Sequence, residues 1–317
     1  MTMTRRELGK LMLTVPAAGW WLSRDTLGAM QAAKPNSKWA GVQVGLNVPY
    51  NYGTRTMPVD EVIDRTVKLG VSAVEMRAQP IELFMGAPMD VLEPGRDREK
   101  QKLATEQLRA WRVKTPPKGA AAVRKKFDDA GIKIDVVKFD GIYDFTDPEM
   151  DYAFGLAKAT GARAISCELE HDGTKRVGQF ADKHKFPVGL HGHTKTTAAM
   201  YDEAFSFAKY NWANIDIGHW VAGGIGNPVD IIRKYHDRIT HIHVKDRKKP
   251  TDGKEGANVP FGQGDTPVIE VLHLIRDNKW PIQATIEFEY LPGSASLADR
   301  MAEMPKAIEY CKKALVG

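Results

Sequence analysis

The feature that most narrows the fold is a change of period repeated along the chain. Short runs rich in β-branched residues occupy Val42–Val48, Val71–Met76, Ile132–Phe139, Ala162–Leu169, Pro187–His193, Ala213–His219, Arg238–Lys245 and Ile282–Tyr290. Between and after them the apolar positions recur at helical spacing, over Val59–Leu69, Gly119–Ala130, Pro148–Thr160, Lys175–Lys185, Ala199–Lys209, Pro228–His236, Pro267–Asn278 and Leu297–Leu315. Strands joined through helices run parallel, because a helical crossover returns the chain to the same end of the sheet. Eight such units in one uninterrupted series predict a single closed (β/α)8 TIM barrel rather than an open doubly wound sheet. Gly70, Gly131 and Gly161 each stand directly before a strand, where glycine adopts the left-handed conformation that ends a helix.

One stretch breaks the rhythm. Gln79 to Lys118 is longer than a connection requires, contains a charged helical segment around Arg98–Arg112, and ends in Pro116-Pro117. It reads as an insertion after the second strand, serving either as a substrate wall or lid or as a surface helix and oligomer contact.

The first residues follow different rules. Arg5, Arg6 and Lys10 precede a moderately apolar run from Leu11 to Leu22, and small residues follow at Ala29, Ala32 and Ala33. A charged start, a short apolar middle and a small-residue end describe an export signal over residues 1–33, and the paired arginines resemble the twin-arginine type. The run is too short and too broken by Gly and Pro to be a stable membrane span. The expected location is therefore exported or periplasmic, with the barrel over residues 34–317. Of the net charge of +5, the leader holds four basic residues against two acidic ones, which leaves +3 for the rest. That is too little for a nucleic-acid partner. Cys167 and Cys311, the only cysteines, read as packed thiols rather than a disulfide.

Barrel chemistry sits at the C-terminal strand ends, on inward-facing residues. Glu168 and Glu170 lie there on the fourth strand, His191 and His193 on the fifth, and Asp216 on the sixth with His219 beyond it. His241 and His243 share a face on the seventh, and Glu287 and Glu289 share one on the eighth. A side-chain period of two lets each pair point to the barrel mouth. A lone strand histidine is usually a satisfied core residue, but five consecutive strands offering carboxylates or imidazoles at one level point to a metal site. Mixed imidazole and carboxylate donors suit a divalent ion such as Mn, Fe, Co or Zn better than calcium.

The series Val188-Gly189-Leu190-His191-Gly192-His193, Asn214-Ile215-Asp216-Ile217-Gly218-His219, Thr240-His241-Ile242-His243-Val244-Lys245-Asp246, Gly262-Gln263-Gly264-Asp265 and Thr285-Ile286-Glu287 resembles the sugar phosphate isomerase/epimerase family with its xylose-isomerase-like TIM barrel. The likeness is clearest over residues 160–290. The resemblance implies a divalent metal cofactor, Mn, Co, Zn or Mg, held by Asp216, His243 and Glu287. Where many members have Glu on the fifth strand this chain has His191, in a His-x-His like that of the inosose-dehydratase-like branch, and Glu168 or Glu170 could supply a further carboxylate.

Such a site supports proton removal next to a sugar carbonyl, with return of the proton giving isomerisation or epimerisation and loss of a leaving group giving dehydration or glycoside elimination. Glu168 or Glu287 is the expected base. His193 and His219 are the expected acid/base groups, while Lys245, Glu170 and His241 are candidate substrate contacts. The leading reading is a metal-dependent isomerase or epimerase acting on a non-phosphorylated sugar or keto-glycoside. A lyase or hydratase, or a metal-dependent hydrolase, on the same barrel is the alternative, and a non-catalytic periplasmic sugar-binding protein is the third. Homo-oligomerisation stays open. Gly262-x-Gly264 is a weak phosphate signature, and Asp265 reads as a helix cap before Pro267. Trp220, Phe261 and Tyr290 read equally as sugar-stacking groups or as packing.

Overall fold

A computed structural model describes residues 34–317, so the export segment expected over residues 1–33 lies outside the described residues. The barrel strands are β1 (Val42–Val48), β2 (Ala73–Arg77), β3 (Lys133–Lys138), β4 (Ala164–Glu168), β5 (Val188–His191), β6 (Asn211–Asp216), β7 (Ile239–Val244) and β8 (Gln283–Ile286). Each is parallel to the next, and β1 closes on β8 through Val44 with Ala284, Gly45 with Thr285 and Leu46 with Ile286. The surrounding helices are α1 (Val59–Lys68), α2 (Ala121–Ala130), α3 (Asp147–Ala159), α4 (His171–His184), α5 (Ala198–Phe207), α6 (Pro228–Tyr235), α7 (Val268–Asp277) and α8 (Leu297–Val316). This is the (β/α)8 barrel that the alternating periods predict. Among the described residues no helix is long and apolar enough to cross a membrane.

Each helix docks by its apolar stripe. On α7 the residues Val271, Leu272 and Ile275 are wholly buried against the sheet, and burial of side chains of this size stabilises by about 1.5–3 kcal/mol each. Reciprocal caps fix where α3 and α8 begin, with Thr146 answered by Glu149 and Ser296 by Asp299. Inside the barrel the layers are partly polar, with Glu75, Asn214, His241, His243 and Thr285 at 0% exposure. Gly189 on β5 makes room for the neighbouring strand, since a Cβ there would sit 2.2 Å from Thr240 Oγ1.

Several boundaries differ from the sequence reading. The sixth strand stops at Asp216 rather than His219, because the Asp216 carboxylate accepts from the His219 backbone N–H at 2.8 Å and starts a short helix, Ile217–Ala222. The fourth strand ends at Glu168 and the eighth at Ile286, which leaves Glu170, Glu287 and Glu289 beyond the regular pairing. Helix α7 starts at Val268 without an Asp265 cap. The Asp265 side chain instead accepts from Lys249 N at 2.8 Å.

The insertion after β2 folds as Ala78–Phe84, Met89–Leu92 and Arg98–Lys114. Asp97 caps the last of these, and buried Arg112 ties it down by bonds of 2.7 and 3.1 Å to the Glu82 carboxylate. Its inner face, with Arg109, and Gln79, Asp140 and Phe145 wall a cavity of about 700 Å³. Asp140 lies just past the end of β3, so the insertion builds a wall on the C-terminal face.

Candidate active site

Strand register brings the polar residues of β4 to β8 to one level. Glu168 is paired with His191 across β4 and β5, and Asp216 with His243 across β6 and β7. The ligand-capable atoms of His191, Asp216, His219 and Glu287 lie within 4.8 Å of one another. His243 reaches the same place from below, with Nδ1 3.3 Å from Glu287 Oε2 and 3.8 Å from Asp216 Oδ2. Nδ1 of His243 is buried and has no hydrogen-bond partner.

Proton positions follow from the partners. The Glu75 carboxylate can only accept, so the 2.6 Å contact puts a proton on His243 Nε2 and turns Nδ1 toward Asp216 and Glu287. Burial opposes a charge on His243, yet Glu287 and Glu75 outweigh it and push the imidazole up to about 10. His191 is oriented in the same way: Nδ1 donates to Glu168 Oε2 at 2.9 Å, which leaves Nε2 facing Asp216 Oδ2 at 3.4 Å. His219 is the exception. Arg247 lies 2.6 Å from its Nδ1 and Lys245 3.3 Å from its Nε2, so both ring nitrogens face cationic donors. Burial and the nearby Lys245 ammonium lower His219 to about 3 despite Asp216, so the ring is neutral, and it stands among the ligand-capable groups with His191, Asp216 and Glu287.

Lys245 holds the centre of the cluster. Its ammonium lies 2.9 Å from Asp216 and 2.7 Å from Glu289 and also contacts Glu287, so three protons meet three carboxylates. Burial disfavours its charge, but Asp216, Glu287 and Glu289 hold it well above the usual lysine range. Burial would likewise raise Asp216 and Glu287, but Lys245 holds both carboxyls well below their usual range. Asn47 donates to Glu287 Oε1 at 2.9 Å and Tyr50 to Glu289 Oε1 at 2.6 Å.

Glu168, expected as a base, has both carboxylate oxygens engaged. It accepts from Lys138 at 2.7 Å, from His191 at 2.9 Å and from His193 at 2.7 Å. Burial pulls the other way, but these donors hold the Glu168 carboxyl far below the usual range, so it is a weak proton acceptor in this arrangement. His193 in turn is raised above its ordinary value, chiefly by its hydrogen bond to Glu168. Its side chain is 58% exposed at the mouth.

Two candidate substrate contacts are not brought to this cluster. Glu170 is exposed just before α4, because its strand ends two residues earlier, and its side chain makes no ion pair among the described residues. His241 lies one layer below His243, fully buried, with Nδ1 against Thr240 Oγ1 at 2.8 Å. The aromatic candidates pack: Trp220 is buried, Phe261 lies edge-on to Tyr310, and Tyr290 tilts against Phe288. The Gly262-x-Gly264 amides bind the chain's own Asp246 carboxylate, at 2.8 and 2.9 Å. Glu75, Lys138 and Asn47 were not singled out from the sequence, although a charged residue within an otherwise apolar strand was the available signal for the first two. Cys167 and Cys311 are buried free thiols.

The model of xylose isomerase-like TIM barrels matches residues 63–314. The chain belongs to this family. Among curated relatives, the inosose dehydratase of Clostridium botulinum strain Alaska E43 is 26% identical over 193 residues, covering 55% of this chain and 58% of the relative. The inosose dehydratase of Clostridium beijerinckii is 24% identical over 164 residues, 46% of this chain and 54% of the relative. The chain therefore spans a little over half the length of these relatives. The xylose isomerase domain protein of Planctomyces limnophilus superposes with a TM-score of 0.59 at 17% identity, over 87% of this chain and 97% of that one. The probable 3-DHS dehydratase of Bacillus anthracis gives 0.56 at 14% identity, over 82% and 97%. These two likenesses concern the xylose isomerase-like fold alone.

Proposed function

We propose that the chain is a divalent-metal-dependent enzyme that takes a proton from the carbon beside a carbonyl of a sugar-like substrate and eliminates water. The observation that carries this reading is the buried Nδ1 of His243 aimed at Asp216 and Glu287 with no hydrogen-bond partner, a nitrogen that would give up its proton to a bound ion, with His191 Nε2 turned to the same point. The donor set fits: His191, Asp216, His243 and Glu287 would hold the ion, and Glu168 and Glu75 stand behind the two imidazoles as the orienting carboxylates that metal-binding histidines usually have. When bound, a divalent ion supplies electrostatic stabilisation of negative charge developing on the substrate carbonyl oxygen.

The chain's own residues do the rest. His193, at the open mouth and backed by Glu168, moves the proton, with Glu168 setting its orientation and basicity. His219, a neutral ring held at Nδ1 by Arg247, stands beside the cluster to meet a substrate oxygen. In elimination the C–H electron pair forms the double bond, and the β-hydroxyl departs with a proton as water. Returning the proton instead gives an isomer or epimer from the same first step. The dehydratase names of the curated relatives support elimination. The abundance of titratable groups at one point supports catalysis over simple sugar binding. We also propose that residues 1–33 direct export.

Turnover in deuterated water tests the first step. Solvent deuterium is expected at the carbon beside the carbonyl in product or recovered substrate, or a substrate deuterated there is expected to react more slowly. Absence of both, with chemistry shown to limit the rate, would refute proton abstraction.

A further inference from the structure

A second cavity opens beside the cluster, between the loop after β1 and the chain after β8, with a volume of about 470 Å³. Glu289 stands on its wall and belongs to both sites, and its charge is already met by Lys245 and Tyr50. The cavity also holds two arginines that are not so matched. Arg300, on the first turn of α8, is 8% exposed. It makes no ion pair among the described residues, and its Nε is buried with no acceptor. A Cβ at Gly53 would lie 2.7 Å from that Nε, so the bare glycine backbone cradles the guanidinium at this position. Arg55 is exposed on the same wall and likewise has no ion pair among the described residues. Asn258, also lining the cavity, has a buried amide oxygen without a partner, and turning the amide would offer its N–H groups instead.

A guanidinium taken out of water without an acceptor is costly, since its several donors lose hydration and gain nothing. Planar guanidinium donors match the two oxygens of a carboxylate or the face of a phosphate. We infer that this cavity is an anion subsite in which Arg300, assisted by Arg55 and Asn258, binds a carboxylate or phosphate carried by the sugar-like substrate. The inference rests on the proposed function for the identity of the sugar-like part, and it makes the substrate class acidic rather than neutral. The shared wall at Glu289 places the anionic end of such a molecule next to the cluster that would act on its carbonyl.

The test reads binding without turnover. Calorimetric titration of the metal-loaded and the EDTA-treated protein, at one ionic strength, compares D-glucuronate, glucose 6-phosphate and D-glucose. At least one anion is expected to bind about tenfold or more tightly than glucose with and without metal, as a charge-assisted contact gives, and the tighter of the two assigns carboxylate or phosphate. Arg300→Gln is expected to remove the preference and leave glucose binding unchanged, whereas Arg300→Lys retains part of it. Arg55 is exposed, so Arg55→Ala keeps the fold and is expected to weaken only the anions, which secures the test if Arg300→Gln does not fold. Equal binding of all three sugars to the wild type would overturn the inference, as would a preference that survives the folded variants. Loss of metal binding with the anion preference intact would count against the proposed function and not against this subsite. Retained metal and turnover of neutral sugars with no anion preference would do the reverse.

Discussion

Lys245→Met removes one ammonium from among three carboxylates and keeps most of the side chain's length. Lys245 is 2% exposed, and its Nζ lies 2.9 Å from Asp216 and 2.7 Å from Glu289 as well as touching Glu287. Breaking a buried pair by deleting one partner costs about 3–5 kcal/mol. At about 2 °C per kcal/mol for a domain of this size, Tm should fall by roughly 6–10 °C in EDTA. The loss also has a sign in pH. Lys245 depresses Asp216 and Glu287, so the stability they contribute is present above the unfolded carboxylate value of about 4 and is lost as pH falls through their lower folded values. Without the lysine, burial and mutual repulsion raise these carboxyls instead, and mild acid then neutralises them. The deficit of the variant should therefore be largest near pH 8 and smaller near pH 5. Manganese should recover part of it at pH 8, because a divalent cation bound only by the folded state replaces the missing charge. Thermal unfolding followed by circular dichroism at both pH values, with EDTA or manganese, reads all three effects. A fall in Tm under about 2 °C, or a deficit indifferent to both pH and manganese, would refute the claim that Lys245 holds these carboxylates together.

Three further outcomes follow from the same geometry. Asp216→Ala and Glu287→Gln should each weaken divalent-metal binding about tenfold or more, read by elemental analysis after dialysis, and full metal content in Asp216→Ala would remove that residue from the ligand set. Glu168→Gln should lower kcat by about 10²–10⁴-fold if His193 depends on its carboxylate partner. It should also bring the raised His193 back toward the ordinary imidazole value: the stabilised charged form, present below the unfolded pKa of about 6.5 and lost as pH rises through the raised folded value, disappears with the carboxylate. An unchanged His193 titration by NMR would separate the two residues. A chain beginning at Lys34 should fold and bind metal as the full chain does, and failure to fold would mean that residues 1–33 contribute to the barrel.

The sequence by itself determined the barrel and the level of its chemistry. Period-two runs and helical runs alternate too regularly for another topology, and side-chain alternation along a strand puts His191, Asp216, His243 and Glu287 on the inner face before any contact is known. Local rules ended where strands ended. Parity carried Glu170 to the mouth only on the assumption that β4 continued, and it paired His241 with His243 without saying which lay deeper. Which group does what was decided only by tertiary contacts. Proton location on an imidazole depends on the partner at its other nitrogen, supplied from β2 for His243 and from β4 for His191, while the chain after β7 sets two cationic groups against His219. Glu168 reads in sequence as a free base because its three donors come from β3, β5 and the turn after β5. Arg300 gave no signal at all, since a basic residue on the first turn of a helix is ordinarily solvated, and only the closure of the barrel buries it beside Glu289 without an acceptor. The physical reason is common to these cases: periodicity is a property of one segment, whereas burial, charge pairing and protonation are properties of the neighbours that the fold assembles around it.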